Sequence, residues 1–294
     1  MSLRHSIEFI TTHPLSHGRR LRNVARFVAL QLGSRLSMAP DSFAYVNGSR
    51  MLLRRGMTGA TGNFYTGLHE FEEMSLLLHL LRPGDLFVDV GANVGSYTVL
   101  ASSAIGARVL AFEPGPEARG WLQRNVELNK AQGRVEVRPD AIGATEGTTA
   151  FSSGLDTVNH RIQGADAKVE DVVPMTTLDL ALEGRSATLI KIDVEGFESD
   201  VIAGGTRTLQ DPGLKCVIIE LAGAGALYGF DEDKIRRDLL GMGFGAFRYE
   251  PFKRQLLPRG TAGGHGNSIF LRDLAVVEQR LSVAPAFEVL GRRV

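Results

Sequence analysis

Acidic side chains stand at the carboxyl ends of several short apolar runs in this sequence. Asp89 ends "LFVD" ahead of a glycine-containing loop, Glu113 ends "RVLAFE", and Asp140 follows "VEVRP". Asp193 and Glu195 follow "ATLIKI". In an open parallel sheet, the carboxyl ends of the strands meet at one edge, and ligands bind there. The sequence therefore predicts that carboxyl groups surround the ligand.

The loop in "FVDVGANVGSYT" bears on whether this ligand is a dinucleotide, a phosphate or a cation. A dinucleotide-binding loop reads G-x-G-x-x-G, but Asn93 replaces its middle glycine between Gly91 and Gly95. No lysine follows the loop, so it is not a P-loop. At roughly 4 Å and an effective dielectric constant near 20, Asp89 would repel an anion by about 4 kcal/mol. It would attract the sulfonium and ammonium of S-adenosylmethionine to the same degree, so a cationic ligand is predicted.

Two further positions could bind a nucleoside. Glu113 could accept hydrogen bonds from both ribose hydroxyls; the alternative is a charge at the start of the helix that Pro114 and Pro116 open. Asp140 could accept from the adenine amino group while the backbone of Ala141 meets a ring nitrogen; the alternative is a turn aspartate.

The apolar runs predict an α/β fold. "LFVDV", "RVLAFE", "VEVRP", "ATLIKID" and "CVIIEL" alternate with helices expected at 96–104, 116–129, 198–209 and 231–242. Continuous apolar runs indicate strands that are covered on both faces, hence a mostly parallel sheet. "GAFRYE" and "NSIFLRD" follow one another with only a glycine-rich loop between them, which predicts an antiparallel pair at the sheet edge.

Composition narrows the classes of function. The 294 residues carry a formal net charge of zero, so no overall field would attract nucleic acid. The single cysteine, Cys216, lies in an apolar run and is predicted to be a buried core thiol, which fits a cytoplasmic location. No apolar run reaches the roughly 18 residues of a membrane span, and the N-terminus lacks the apolar core of a signal peptide.

Residues 1–60 differ from the rest. Five arginines alternate with apolar residues at helical spacing in "HGRRLRNVARFVALQLGSRL". This helix is expected to pack on the main domain or on a second subunit as a homo-oligomer contact; the alternatives are a membrane surface and an anionic substrate. Asn47-Gly48 between two apolar stretches predicts a β-hairpin. We expect a main domain at 61–272 and a tail at 273–294.

The motifs "FVDVGANVGSYT", "AFEPGP", "LIKIDVEGFE" and "VIIEL", in that order, resemble the FkbM family of S-adenosylmethionine-dependent methyltransferases. The resemblance covers about 57–272, and "KIDVEG" is its most specific element. It implies a Rossmann-like class I methyltransferase fold with a seven-stranded sheet that has one antiparallel strand. It also implies transfer of a methyl group to a hydroxyl oxygen, commonly of a sugar or a secondary metabolite.

In this fold, "IKIDVEGFE" would lie next to the methyl group of the cofactor. Asp193 or Glu195 could hold the acceptor hydroxyl and take its proton, or could form a Mg²⁺ site together with Glu220. The alternative is that Asp193 braces the loop and Glu195 caps the helix that starts near Glu198.

Weaker candidates complete the predicted site. His69 and His160 are alternative bases, although a structural histidine and an exposed turn explain them as well. Tyr65 and Glu70 lie in a segment expected to close over the amino-acid end of the cofactor. Ser96 and Tyr97 follow the glycine loop and join the predicted cofactor contacts.

Three functions are compatible with these residues. The first is an O-methyltransferase acting on a hydroxyl of a sugar, glycoconjugate or secondary metabolite. The second is a non-catalytic module that binds S-adenosylmethionine and serves assembly, against which the intact carboxylates of Asp193 and Glu195 argue. The third is a nucleic-acid methyltransferase, which the neutral charge disfavours.

Overall fold

The computed structural model describes residues 3–33, 41–53, 57–151, 171–260 and 266–294. The helices are α1 Leu3–Thr12, α2 Arg20–Gly33, α3 Thr58–Thr66, α4 Phe71–Leu80, α5 Ser96–Val99, α6 Pro116–Leu128, α7 Leu178–Leu182, α8 Glu198–Ala203, α9 Thr206–Gln210, α10 Glu232–Gly241 and α11 Leu274–Ser282. The strands are β1 Asp41–Ala44, β2 Arg50–Leu53, β3 Leu86–Val90, β4 Arg108–Phe112, β5 Val135–Arg138, β6 Ala141–Ile142, β7 Gly147–Phe151, β8 Asp171–Thr176, β9 Leu189–Ile192, β10 Cys216–Glu220, β11 Gly245–Glu250, β12 Gln255–Pro258, β13 Asn267–Leu271, β14 Glu288–Val289 and β15 Arg292–Arg293.

The central sheet has the strand order β12-β11-β13-β10-β9-β3-β4-β5. The five strands from β10 to β5 are parallel, and every residue of β3 and β9 is buried, as their continuous apolar runs predict. The predicted mostly parallel, Rossmann-like α/β sheet is confirmed.

The antiparallel end of the sheet has one strand more than expected. β11 and β13 pair antiparallel, as predicted, and β13 inserts between β11 and β10. The connection between them is not only a glycine-rich loop, because β12 within it pairs antiparallel with β11 and makes the sheet eight-stranded. "QLLP" has two apolar residues followed by a proline, so it gives no clear strand pattern, and an edge strand tolerates proline.

Each face of the sheet has its own hydrophobic core. Phe87, Leu189 and Ile218 face the core shared with α4 and the extension, whereas Ile190 and Val217 face the core shared with α8 and α10. Side chains alternate between faces along a strand, so residues two apart share a face. This alternation brings charged side chains from three strands together on the first face, as described below.

The N-terminal extension, of which residues 3–33 and 41–53 are described before α3, packs against the main domain that begins near residue 61. Asn47 and Gly48 have φ values of 48° and 83°, which a two-residue type I′ turn requires, and they join β1 to β2. On α2, the Arg26 Nε donates to the carbonyl oxygen of Phe64, and Phe27 packs edge-on against Tyr65 with ring centroids 5.2 Å apart. The predicted helix therefore packs on the protein itself.

Residues 289–291 contact the N-terminal extension. Val289 forms an isolated β-bridge with Val46, and the Arg19 guanidinium donates to the carbonyl oxygens of Leu290 and Gly291. Among the described residues, no helix is long and apolar enough to cross a membrane.

Candidate active site

The glycine loop turns sharply at the carboxyl end of β3. Gly91, Asn93 and Gly95 all have positive φ values, of 82°, 50° and 90°. A Cβ atom on Gly91 would lie 1.8 Å from the carbonyl oxygen of Asp193. Only glycine allows this approach, so the loop after β3 and the loop after β9 are in direct backbone contact.

Glu113 braces the glycine loop from the end of β4. One of its oxygens accepts from the Asn93 N–H and the other from the Gly115 N–H, both at 2.8 Å. Burial raises the pKa of Glu113 to about 7, although these two donors and Arg119 oppose the rise. The side chain thus has a structural role as well as a place at the ligand cleft.

Asp89 lies beneath the loop. Its carboxyl group is buried and accepts from the Thr98 hydroxyl at 2.7 Å. Burial raises its pKa to about 6, and the Lys191 ammonium opposes that rise.

A cleft of about 740 Å³, part of it open to solvent, runs along this edge of the sheet. Gly91, Asn93, Glu113, Asp140 and Ala141 line it together with Asp193 and Glu195, seven of the predicted site residues. The lining residues that the sequence reasoning missed include Ile142, Phe151 and Phe197.

Asp193 is held by two ionisable neighbours. The Lys191 ammonium lies 2.6 Å from its Oδ2, and Glu220 also forms a side-chain hydrogen bond with it. Burial would raise the pKa of Asp193, but Lys191 and these hydrogen bonds outweigh burial and lower it. Burial and the Asp193 charge raise the pKa of Glu220 to about 9. Asp193 is therefore the carboxylate, and Glu220 carries the proton.

Lys191 was also absent from the predicted site, although the sequence contains a signal for it. A lysine in the middle of "LIKID" has to be buried in a parallel strand, and a buried charge needs a partner. Asp193 is two residues further along the chain and is therefore on the same face.

Glu195 is exposed and has a left-handed backbone, with φ of 53°. The Oε1 of Glu198 accepts from the Val194 and Gly196 N–H groups at 3.2 and 3.1 Å, and the residue at the N-cap position of α8 is Phe197. The loop is fixed from Glu198, which leaves Glu195 at the cleft.

Carboxylate oxygens of Asp193, Glu195 and Glu220 lie within 4.8 Å of one another, the group considered above for Mg²⁺. However, the Lys191 ammonium already neutralises Asp193, and Glu220 holds a proton that a metal would have to displace. The three residues therefore do not fit a divalent cation in this arrangement.

The segment before β3 lies next to the glycine loop, but it is not among the described residues that line the cleft. Tyr65 is buried against Phe27, and His69 packs against the Phe9 ring with centroids 5.0 Å apart. Glu70 accepts from the Tyr97 hydroxyl at 2.6 Å. Burial lowers the pKa of His69 below the usual value for histidine.

Two other predicted positions remain. Ser96 accepts from the Asn63 side-chain amide at 3.0 Å and lies at the start of α5, outside the residues that form the cleft wall. Gly95, one residue earlier, packs against Leu122 and admits no side chain. His160 lies outside the described residues.

Residues 89–244 match the family model described as the methyltransferase FkbM domain, which is more than half of the chain. The chain belongs to the FkbM methyltransferase family. This membership and the observed sheet confirm the class I methyltransferase fold that the motifs implied.

Three relatives illustrate the range of acceptors. The chain is 28% identical to the hexuronic acid methyltransferase AglP of Haloferax volcanii over 52% of its own length and 62% of the relative. It is 29% identical to a ribosomal protein L11 methyltransferase of Chloroflexus aurantiacus over 61% and 53%. It is 30% identical to the 31-O-demethyl-FK506 methyltransferase FkbM of Streptomyces tacrolimicus over 48% and 66%. The chain thus spans less than two thirds of the length of each relative.

Proposed function

We propose that this protein transfers the methyl group of S-adenosylmethionine to a hydroxyl oxygen of a sugar, a glycoconjugate or a secondary metabolite. One observation carries the proposal. Glu113 and Asp140, suited to a nucleoside, share one cleft with Asp193 and Glu195, suited to a hydroxyl group. Family membership supports the reaction class.

The residues present fit the cofactor. Glu113 and Asp140 are acceptors for ribose hydroxyls and an adenine amino group, and Phe112 and Phe151 add apolar surface for the base. Lys191 balances the charge of Asp193, so the buried Asp89 is the group that provides negative charge for a sulfonium. Gly91 lets the backbone come close to the ligand.

When bound, the cofactor supplies an electrophilic methyl group that a nucleophile must approach in line. The residues of this chain contribute position and charge, which account for much of the rate in such reactions. In the proposal, the carboxylate of Asp193 or Glu195 accepts a hydrogen bond from the acceptor hydroxyl and takes its proton as that oxygen bonds to the methyl carbon and the carbon–sulfur bond breaks, which would leave S-adenosylhomocysteine. The carboxylates also direct a lone pair of the hydroxyl oxygen towards the cofactor side of the cleft.

Two relatives support the acceptor class, because their names record a hexuronic acid and 31-O-demethyl-FK506 as acceptors. The third acts on a ribosomal protein, so likeness alone leaves the acceptor open. Metal ions have no part in the proposal, and we expect EDTA to leave turnover unchanged.

The cofactor half of the proposal is tested by calorimetry with S-adenosylhomocysteine. Glu113→Gln cannot accept both backbone N–H groups and the ribose as a carboxylate does, so we expect about tenfold or greater weakening. Glu117→Gln is the matched control, because Glu117 is exposed in the first turn of α6. Equal affinities for all three proteins would contradict the assigned cleft, as would tight binding of NAD.

The acceptor half is tested with labelled cofactor and a panel of acceptors: hexuronic acids, neutral sugars, glycosides, macrolides, a ribosomal protein extract and RNA. We expect label in a base-stable ether of a hydroxyl-bearing compound. Label only in protein or RNA would overturn the proposed acceptor. Cofactor binding without transfer to any acceptor would favour a non-catalytic module.

A further inference from the structure

A buried lysine lies near the cleft, on the face of the sheet that Leu189 also shares. Lys191 is on β9 with only 4% of its surface exposed. Its Nζ lies 2.6 Å from the Asp193 Oδ2 and 4.9 Å from the centre of the Tyr97 ring. An ammonium loses several kcal/mol of solvation on burial, so these partners must compensate for it.

Charged and polar groups face this ammonium from every element packed around it. Asp89 approaches from β3, Tyr97 from α5, and Glu70 from the start of α4 through its hydrogen bond with Tyr97. Asp193 follows on its own strand.

Two more acids complete the surroundings at longer range. Glu220 reaches the ammonium from β10 through Asp193, and the charge of Glu73 on α4 acts on Tyr97. Burial would lower the pKa of Lys191, but Asp193, Glu70 and Asp89 together raise it above its usual value. The lysine is therefore charged at neutral pH.

The position of this charge determines which carboxyl group of the Asp193–Glu220 pair is ionised. Two carboxyl groups in hydrogen-bond contact share one proton, because like charges so close cannot both ionise cheaply. Lys191 contacts Asp193, and its ion pair lies on the Asp193 side of the shared proton. Without the ammonium, the pair would hold its proton with little preference for Glu220.

We infer that Lys191 is a positioning residue that keeps Asp193 in its carboxylate form and fixes its orientation at the cleft. The ammonium also lies over the Tyr97 ring, and the Tyr97 hydroxyl donates to Glu70. The expected effect of Lys191 on turnover rests on the proposed methyl transfer, whereas its expected effect on the ionisation of Asp193 does not.

The first test needs no acceptor. In protein labelled at the aspartate side-chain carbon, the Asp193 signal is assigned by its loss in Asp193→Asn and titrated with S-adenosylhomocysteine bound. Lys191→Met removes the charge and keeps the length of the side chain. We expect the protonation midpoint of Asp193 to move upward by about one to three on the pH scale. Lys191→Arg, which keeps a cation, should leave the midpoint within a few tenths of the wild-type value.

An unchanged midpoint in Lys191→Met would overturn the inference. Circular dichroism and thermal unfolding establish that the variants are folded. If Lys191→Met does not fold, Lys191→Gln replaces it, because glutamine can still donate to Asp193 but has no charge.

The second test uses the acceptor found in the panel above. The acid limb of the pH–rate profile of Lys191→Met should move upward with the midpoint, so that turnover falls at least about tenfold near pH 6 and recovers near pH 9. Lys191→Met combined with Asp193→Asn should be no slower than Asp193→Asn alone, since Lys191 acts through Asp193.

A rate that falls equally at every pH, or a double variant slower by the full product, would overturn the inference. A wild-type protein that binds the cofactor and methylates nothing would contradict the proposed function instead. In that case the titration of Asp193 alone decides the role of Lys191.

Discussion

The carboxylate of Asp193 lies between the buried Lys191 ammonium and the protonated carboxyl group of Glu220. Replacing Asp193 by asparagine therefore tests the role of its charge without a change in the shape of the side chain. Asp193→Asn keeps the size and the hydrogen-bonding capacity of the side chain. If Asp193 takes the acceptor proton, turnover should fall by about 10² to 10⁴, with S-adenosylhomocysteine affinity changed little. Initial rates at saturating cofactor and calorimetry measure the two quantities.

Glu195→Gln is the companion variant, because Glu195 lines the same cleft as Asp193. A double variant no slower than either single variant would mean that the two carboxylates act as one unit. Near-normal turnover in both single variants would make them structural and leave His69 and His160 as the remaining predicted bases.

Glu198 offers a prediction about stability and pH. Burial raises its pKa from 4.5 to about 7, so the folded protein binds more protons than the unfolded chain between these values. The free energy of unfolding therefore falls as pH rises through this window, and the loss persists above it. Glu198→Gln mimics the protonated form and should be more stable than wild type at pH 8, by up to about 3 kcal/mol.

At pH 4 the two proteins should unfold at the same denaturant concentration, because glutamate is then protonated in both states. Asp200→Asn, a change at a half-buried acid in the same helix, is the control for the loss of one carboxyl group from α8. Greater stability of the wild type at pH 8 would mean that the ionised Glu198 strengthens the two backbone hydrogen bonds by more than its burial costs.

Single residues differ in how far the sequence predicts them. Asp89, Gly91 and Glu113 are readable because strand ends and glycines have fixed positions in a parallel sheet. Phe151 lines the cleft from β7, which forms a separate three-stranded sheet with β6 and β8. No periodic pattern in the sequence predicted this sheet. Which of Asp193 and Glu220 is ionised depends on Lys191, and therefore on packing between neighbouring strands.

Elements with continuous apolar runs were predicted to within one or two residues of their observed ends, whereas one predicted helix and one edge strand differ from the prediction for separate reasons. The predicted helix at 198–209 is divided into α8 and α9, because Gly204 and Gly205 interrupt it between Ala203 and Thr206. β12 was missed because it is short and lies at the edge, where pairing with β11 replaces burial as the stabilising interaction.

The packing of α2 gives a prediction at the scale of one element. Phe27 is 5% exposed and contacts Tyr65, whereas Val28, the next residue, is 45% exposed. Phe27→Ala should lower the free energy of unfolding by about 3 kcal/mol, since it removes a ring from a packed site. Val28→Ala, the control, should change it by less than about 0.5 kcal/mol.

Denaturant unfolding measures both variants. If both leave stability unchanged and wild type co-sediments with anionic liposomes, the helix would instead be a membrane-surface element. The observed contacts of Arg26 and Phe27 with α3 argue for packing on the protein.

At the scale of the whole molecule, residues near the carboxyl end of the chain form hydrogen bonds with the N-terminal extension. The Glu288 N–H donates to the side chain of Asn47, and the Arg292 guanidinium donates to the carbonyl oxygen of Pro14. Deleting residues 287–294 should therefore increase amide hydrogen exchange throughout α1 and α2, while β3 and β9 stay protected. Equal exchange in both regions would contradict the link.

Domain boundaries and oligomeric state remain predictions at this scale. We propose 1–60 as an extension of the domain at 61–272, with 273–294 as a tail. Light scattering of the full chain and of a chain lacking 1–40 tests the homo-oligomer contact. Leu21 on the outer side of α2 is 88% exposed and is a natural position for a charged substitution there.

The contact between Gly91 and the carbonyl oxygen of Asp193 leaves no room for a methyl group. Two loops about a hundred residues apart in the sequence are therefore in backbone contact, so a displacement of the loop after β9 would displace the glycine loop as well. Engineering of the loop after β9 to change the acceptor would therefore also disturb the loop that we propose binds the cofactor. Changes of acceptor should accordingly be sought in side chains that reach into the cleft, with the backbone at this contact left as it is.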